Sequence, residues 1–246
     1  MNEFAKQIDY ILEPTVADRE LQQCLQNIHL LDRYTASTGN HIAILQHFGY
    51  GNVDLVLVAN NVIKSLISEA DPDSFRDANL GVWFPLAYYG LPLLLLYGSD
   101  EQIECFIRPY HLNLDPGYTG RFDRNYTRVY LLMCNFLKSM PEQDVDLRQE
   151  LLGCKKKQVV LLVEALLAAV EGTQAEFDKA FTAGIKYFRS RNKTYKDNDK
   201  KQFDLIALEY TAVNAIAKRF GKQMTDLPIN LACSILTRES IDTPVP

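Results

Sequence analysis

Apolar residues along this chain recur every three to four positions, the spacing of one face of an α-helix. Phe4, Ile8, Ile11 and Leu12 mark a short first helix closed by Pro14. Thr15 or Asp18 caps a second, with the stripe Leu21, Cys24, Leu25, Ile28 and Leu31. Gly39 and Asn40 read as a turn before a segment from His41 to Phe48, ended by Gly49 and Gly51. Asn52 is the expected cap of the next helix, which carries Leu55, Val56, Ala59, Val62, Ile63, Leu66 and Ile67. Val53 to Val58 is the nearest approach to a strand signal, but its neighbours on both sides suit a capped helix better. A further apolar segment runs through Leu80, Val82, Trp83 and Leu86 to Tyr89, where Pro85 either kinks the helix or opens a new one. Gly90 and Pro92 punctuate it before Leu93 to Tyr97.

Ser99 and Gln102 form a capping box ahead of Ile103, Phe106 and Ile107. Residues 110–123, with Pro116, Gly117 and Gly120, break the pattern, and helix resumes at about Asn125. Pro141 to Asp146 is acidic and reads as exposed, with a short helix through Leu147 and Leu151 as an option. Lys157 to Val170 is apolar nearly all round, which predicts a central helix. Thr173 and Glu176 make a second capping box, and Phe177, Phe181, Ile185 and Phe188 follow, so these two helices form an antiparallel hairpin. Arg189 to Lys201 reads as a solvated connection, Phe203 to Phe220 as a helix closed by Gly221, and Asp226 opens a last short helix. The fold class predicted is all-α, as a bundle or a short solenoid of antiparallel helix pairs. One domain over 1–246 is expected, with 1–140 and 147–246 as candidate subdomains.

Composition narrows the function classes. With 246 residues and 47% hydrophobic content the chain can bury a sizeable core. A net charge of −5 opposes binding phosphate backbones through the general field, so nucleic acid is disfavoured as a partner. The apolar stretch from Val82 to Tyr97 is interrupted by Pro85, Gly90 and Pro92, and no membrane span is expected. Cys24, Cys105, Cys134, Cys154 and Cys233 are scattered and odd in number, which suits reduced thiols. The opening MNEFAKQIDYILEP lacks the basic-then-apolar order of a secretory leader, so a cytoplasmic location is expected.

Candidate chemistry is sparse. The sequence has no glycine-rich phosphate loop, no G-x-S-x-G and no H-E-x-x-H. His41 and His47 are six apart, off a shared helical face, and suit surface or cap roles better than a metal site. No enzyme activity, cofactor or metal is therefore expected. Two stretches stand out as contact candidates. One mixes aromatics with arginines, residue types enriched at binding hot spots: Tyr118, Arg121, Phe122 and Arg124, running on to Tyr126 and Arg128. The other is the acidic run of Glu142, Asp144 and Asp146, continued by Glu150, suited to steering a basic partner.

The C-terminal segments LLVEALLAAVEGTQAEFDKAFTAGIKYFRSR and FDLIALEYTAVNAIAKRFGKQMTDLPINL carry a recognisable order. An apolar helix ends in a tight turn, a polar linker follows, then a helix of aliphatic and small residues, a closing glycine, and a Leu-Pro before the last helix. Over Lys157 to Leu231 this resembles the all-helical immunity proteins of bacterial polymorphic toxin systems, in which a cell neutralises a toxin delivered by kin or neighbours. The resemblance is one of spacing and residue class. It implies a cytoplasmic, non-enzymatic inhibitor that covers or distorts a cognate protein toxin, a nuclease being one candidate, and it carries over no catalytic residue. The alternative is a helical-repeat scaffold or regulator that binds a cellular protein or peptide.

Overall fold

The computed structural model describes residues 14–27, 35–47, 54–69, 80–108, 124–138, 145–192, 206–223 and 226–238. Helices run through them in the order α1 (Pro14–Asn27), α2 (Thr35–His47), α3 (Leu55–Glu69), α4 (Leu80–Tyr97), α5 (Asp100–Ile107) and α6 (Arg124–Leu137). They continue as α7 (Val145–Leu152), α8 (Lys157–Val170), α9 (Gln174–Asn192), α10 (Leu208–Arg219) and α11 (Ile229–Ala232). No strand occurs among the described residues, and the fold is all-α. The predicted helix over Phe4 to Leu12 lies outside the described residues, as do the pattern-breaking residues 110–123 and residues 239–246.

Neighbours in sequence are neighbours in space at the start: α1 packs on α2, α2 on α3 and α3 on α4. That order alone would extend as a solenoid. It is closed by α10, which returns from the C-terminal third to pack on α4, α6, α8 and α9. The buried side chains accordingly form one hydrophobic core, running from Leu21 to Leu236.

Helix ends follow local chemistry. Both predicted capping boxes are present. The Gln102 amide donates to Ser99 Oγ at 3.2 Å and the Ser99 amide to Gln102 Oε1 at 2.9 Å. The Thr173 amide donates to Glu176 Oε2 at 2.7 Å and the Glu176 amide to Thr173 Oγ1 at 3.3 Å. Gly221, at φ 77°, ends α10 in the left-handed region as expected. The expected cap Asn52 lies outside the described residues; Asp54 caps α3, its Oδ1 accepting from the amides of Val56 and Leu57 at 3.0 and 3.1 Å.

Several expectations are corrected. The turn expected at Gly39 and Asn40 is the interior of α2. Gly39 is there for contact: a Cβ at this position would overlap Cγ2 of Val62 on α3, so glycine lets the two helices approach. The apolar segment with Pro85, Gly90 and Pro92 is one helix, α4. Pro92 has no amide to donate, and close by, Asn40 Nδ2 of α2 donates to the Tyr89 carbonyl. α8 is central as expected, packing on α6, α7, α9 and α10, but α10 is the more enclosed helix. Val160, Leu161, Leu167 and Ala168 of α8 are only half-buried, whereas every residue of α10 from Leu208 to Ala217 is buried. α10 achieves this with small residues, and Tyr210 lies flat on Gly184 of α9, where a Cβ would overlap the phenol ring.

The Gly39 contact has a measurable consequence. Gly39→Ala improves intrinsic helix propensity by about 1 kcal/mol, yet it should lower stability in urea unfolding, because overpacking against buried Val62 costs about 1–3 kcal/mol. In a Val62→Ala background, where the overlapping methyls are gone, the same substitution should raise stability. A stabilising Gly39→Ala in the wild-type chain would show that α2 and α3 do not meet there.

Candidate functional site

Of the seven contact residues expected from sequence, Tyr118, Arg121, Phe122, Glu142 and Asp144 lie outside the described residues. Arg124 opens α6 and is exposed; Asp146 stands exposed in the first turn of α7. The two helices lie side by side, joined by the ion pair of Arg128 with Glu150. Arg148 of α7 lies over the Phe136 ring of α6, 4.7 Å from its centre. Arg128 precedes Phe136 whereas Glu150 follows Arg148, so the helices run in opposing senses. Arg124 and Asp146 thus sit towards opposite ends of their contact.

The rest of the aromatic–arginine stretch is structural. Arg128 is committed to Glu150. Tyr126 is half-buried, and burial together with the charge of Glu209 raises its phenol far above the ordinary tyrosine range. α7 itself is pinned twice, by that ion pair and by Arg148 to Glu171 at 2.6 Å. Leu147 and Leu151 face inward, while Val145 and Leu152 are 52% and 38% exposed.

Sequence reasoning passed over the most perturbed group. Glu209, in the first turn of α10, is 6% exposed. It lies among the phenols of Tyr126 and Tyr130 on α6 and Tyr210 beside it, all raised by its charge. Arg191 and Tyr187 of α9 and Glu164 of α8 act on the same phenols. Burial pushes its carboxyl up to about 7, against its own backbone amide, which favours the ionised form. Its Oε2 has no hydrogen-bond partner. Rings flank it on both sides: Tyr130 stands 6.0 Å from Tyr88, and Tyr210 stands 5.8 Å from Phe181 edge-on. A signal was present, since Glu209 precedes Ala212, Val213 and Ile216 by three, four and seven, the spacing of the buried stripe.

Two other polar groups are inside against expectation. Arg189, read as part of a solvated connection, is buried, because α9 continues to Asn192 and places it on the ladder Phe177, Phe181, Ile185. His47, read as a surface or cap residue, is buried, and its Nε2 donates to the Cys233 carbonyl at 3.1 Å. Burial lowers its pKa, so the ring is neutral. Cys233 lies within the field of Arg189, but burial pushes its thiol up, as it pushes Cys134 up to about 12, so neither is activated as a thiolate nucleophile. None of the five cysteines is in a disulfide.

Among the described residues no three His, Cys, Asp or Glu side chains group as metal ligands, and no helix is long and apolar enough to cross a membrane. No protein-family model, curated protein or solved structure matches the chain.

Glu209 makes stability depend on pH. Its folded pKa, about 7, is raised from 4.5, so the folded state binds a proton between these values that the unfolded chain releases. Stability is highest, as far as this group is concerned, below the unfolded value and is lost as pH rises towards 7. His47 acts oppositely, losing stability as pH falls below its unfolded value of 6.5. Glu209→Gln should therefore stabilise the protein at pH 8 by on the order of 3 kcal/mol. It should be nearly neutral at pH 4, measured by urea unfolding across the range. A constant difference at all pH values would show that Glu209 titrates alike in the folded and unfolded chain.

Proposed function

We propose that the protein is an immunity protein that binds a cognate protein toxin and neutralises it by direct contact, without catalysis. The observation that carries this reading is the outer face of α7. Val145 and Leu152 stand two turns apart on that face, exposed, with Asp146 and Glu150 also exposed on the same short helix. Apolar anchors beside carboxylates suit a partner whose surface is basic, as a nuclease cleft is. The helix is held on both flanks by the ion pairs of Arg128 with Glu150 and Arg148 with Glu171, so little side-chain order has to be gained on binding. The pattern similar to immunity proteins, from Lys157 to Leu231, supports the same reading from the sequence side.

The test is protection. Co-expression with the toxin encoded by the adjacent open reading frame should restore growth, and the two proteins should co-purify. A Val145→Asp, Leu152→Asp double variant should lose protection while its helical signal and melting temperature stay close to wild type, because both side chains already face water. Wild-type protein that neither rescues growth nor co-purifies would refute the proposal.

A further inference from the structure

The bundle buries one side of α8 and leaves the other incomplete. Val159, Leu162, Val163, Ala165, Leu166 and Ala169 are fully buried, while Leu161, Leu167 and Ala168 are half-buried around the exposed Glu164. These last four share one helical stripe. α9 runs beside this stripe with Ala180 half-buried and Ala183 exposed. Between the two helices lies an open groove of about 630 Å³, whose floor is Leu167, Ala168, Ala180 and Ala183. Its rim carries three carboxylates, Glu164, Glu171 and Glu176, against one ammonium, Lys179. Glu176 is held by Thr173, whose hydrogen bonds keep its carboxyl below the usual range and therefore ionised at neutral pH. Glu171 is held by Arg148 of α7, which joins the groove to the α7 face.

Three features select the occupant. Small floor residues leave room for side chains entering from outside. The rim calls for cations. The groove runs from Glu164 on α8 to Gly172 just past its end, ~12 Å, which is about two helical turns. We propose that the groove between α8 and α9 seats a cationic amphipathic helix of the protein partner, with apolar side chains at i, i+3, i+4 and i+7 on the alanine–leucine floor and lysines or arginines against Glu164 and Glu176. The proposal rests on the protein-binding reading and places a second contact surface beside α7.

The experiment uses the full chain and a fluorescein-labelled peptide of Lys, Leu and Ala patterned as an amphipathic helix, with a counterpart in which Glu replaces every Lys. By fluorescence anisotropy the lysine peptide should bind, more weakly at high salt, and the glutamate peptide should not. Glu164→Lys, at an exposed helical position, should weaken binding about tenfold. Ala183→Trp should abolish it by filling the groove, and circular dichroism should show both variants folded. A lysine peptide that does not bind, or that binds both folded variants as tightly as wild type, overturns the groove. The Val145→Asp, Leu152→Asp variant should retain peptide binding. No toxin enters this assay, so the two readings separate: protection in cells without peptide binding overturns the groove alone, and peptide binding without protection overturns the immunity reading alone.

Discussion

The structure depends on burying α10 on every side. A helix enclosed all round has no face left for water, so each polar group on it must be matched or carried at a cost. Thr211 meets this locally: its hydroxyl donates to the Ala207 carbonyl at 3.2 Å and accepts from the Leu236 amide at 3.0 Å. The Ala207 amide donates to the Ser234 carbonyl at 2.7 Å, so the segment after α11 closes over the start of α10. The same segment takes a hydrogen bond from His47 of α2, which ties the far end of the chain to its first third. Closure of a helix-pair array into a bundle thus follows from one central helix and the short strap across its N-terminal end.

Close approach is what makes such enclosure possible. Ala212, Ala215 and Ala217 keep α10 narrow, and Gly184 lets Tyr210 lie against the backbone of α9. Dispersion between these surfaces is small per atom and large in sum. Glu209 is the exception within that interior. A carboxyl among three phenols near neutrality is a polar core group whose protonation follows the surrounding pH, and it stands where α6, α8 and α9 converge on α10. The core is therefore not purely hydrophobic, and its electrostatics are set by a residue that the helical pattern places among aliphatics.

The surface divides by the same logic. Where helices meet, apolar excess is consumed; where the array ends, it is left over. α7 and the outer flank of α8 are such ends, and both combine residual apolar side chains with carboxylates. Arg148 bridges them through Glu171 while stacking on Phe136, so the two faces are tied to each other and to α6. Other basic groups of this half are held away from these faces, with Arg219 of α10 paired to Asp100 of α5 and Lys157 over the Tyr187 ring.

The helices and their ends were legible in the chain because they rest on interactions within four residues. Hydrophobic spacing marked α3, α6, α8 and α9, the boxes at Ser99 and Thr173 set two starts, and Gly221 set one stop. Turn chemistry misled at Gly39 and across Gly90 and Pro92, because a glycine or proline that weakens an isolated helix is tolerated when neighbouring helices pack against it, as α3 does at Gly39. Of the candidate contacts, the sequence marked Asp146 and Arg124 as exposed charges near helix starts, which is a local property. Spacing placed Glu209 on the buried stripe of α10, but nothing marked the burial of Arg189 and His47, or the groove beside α8. Those depend on which helix covers which face, and that choice is made by contacts between residues far apart in the chain, where shape and close packing decide and periodicity does not.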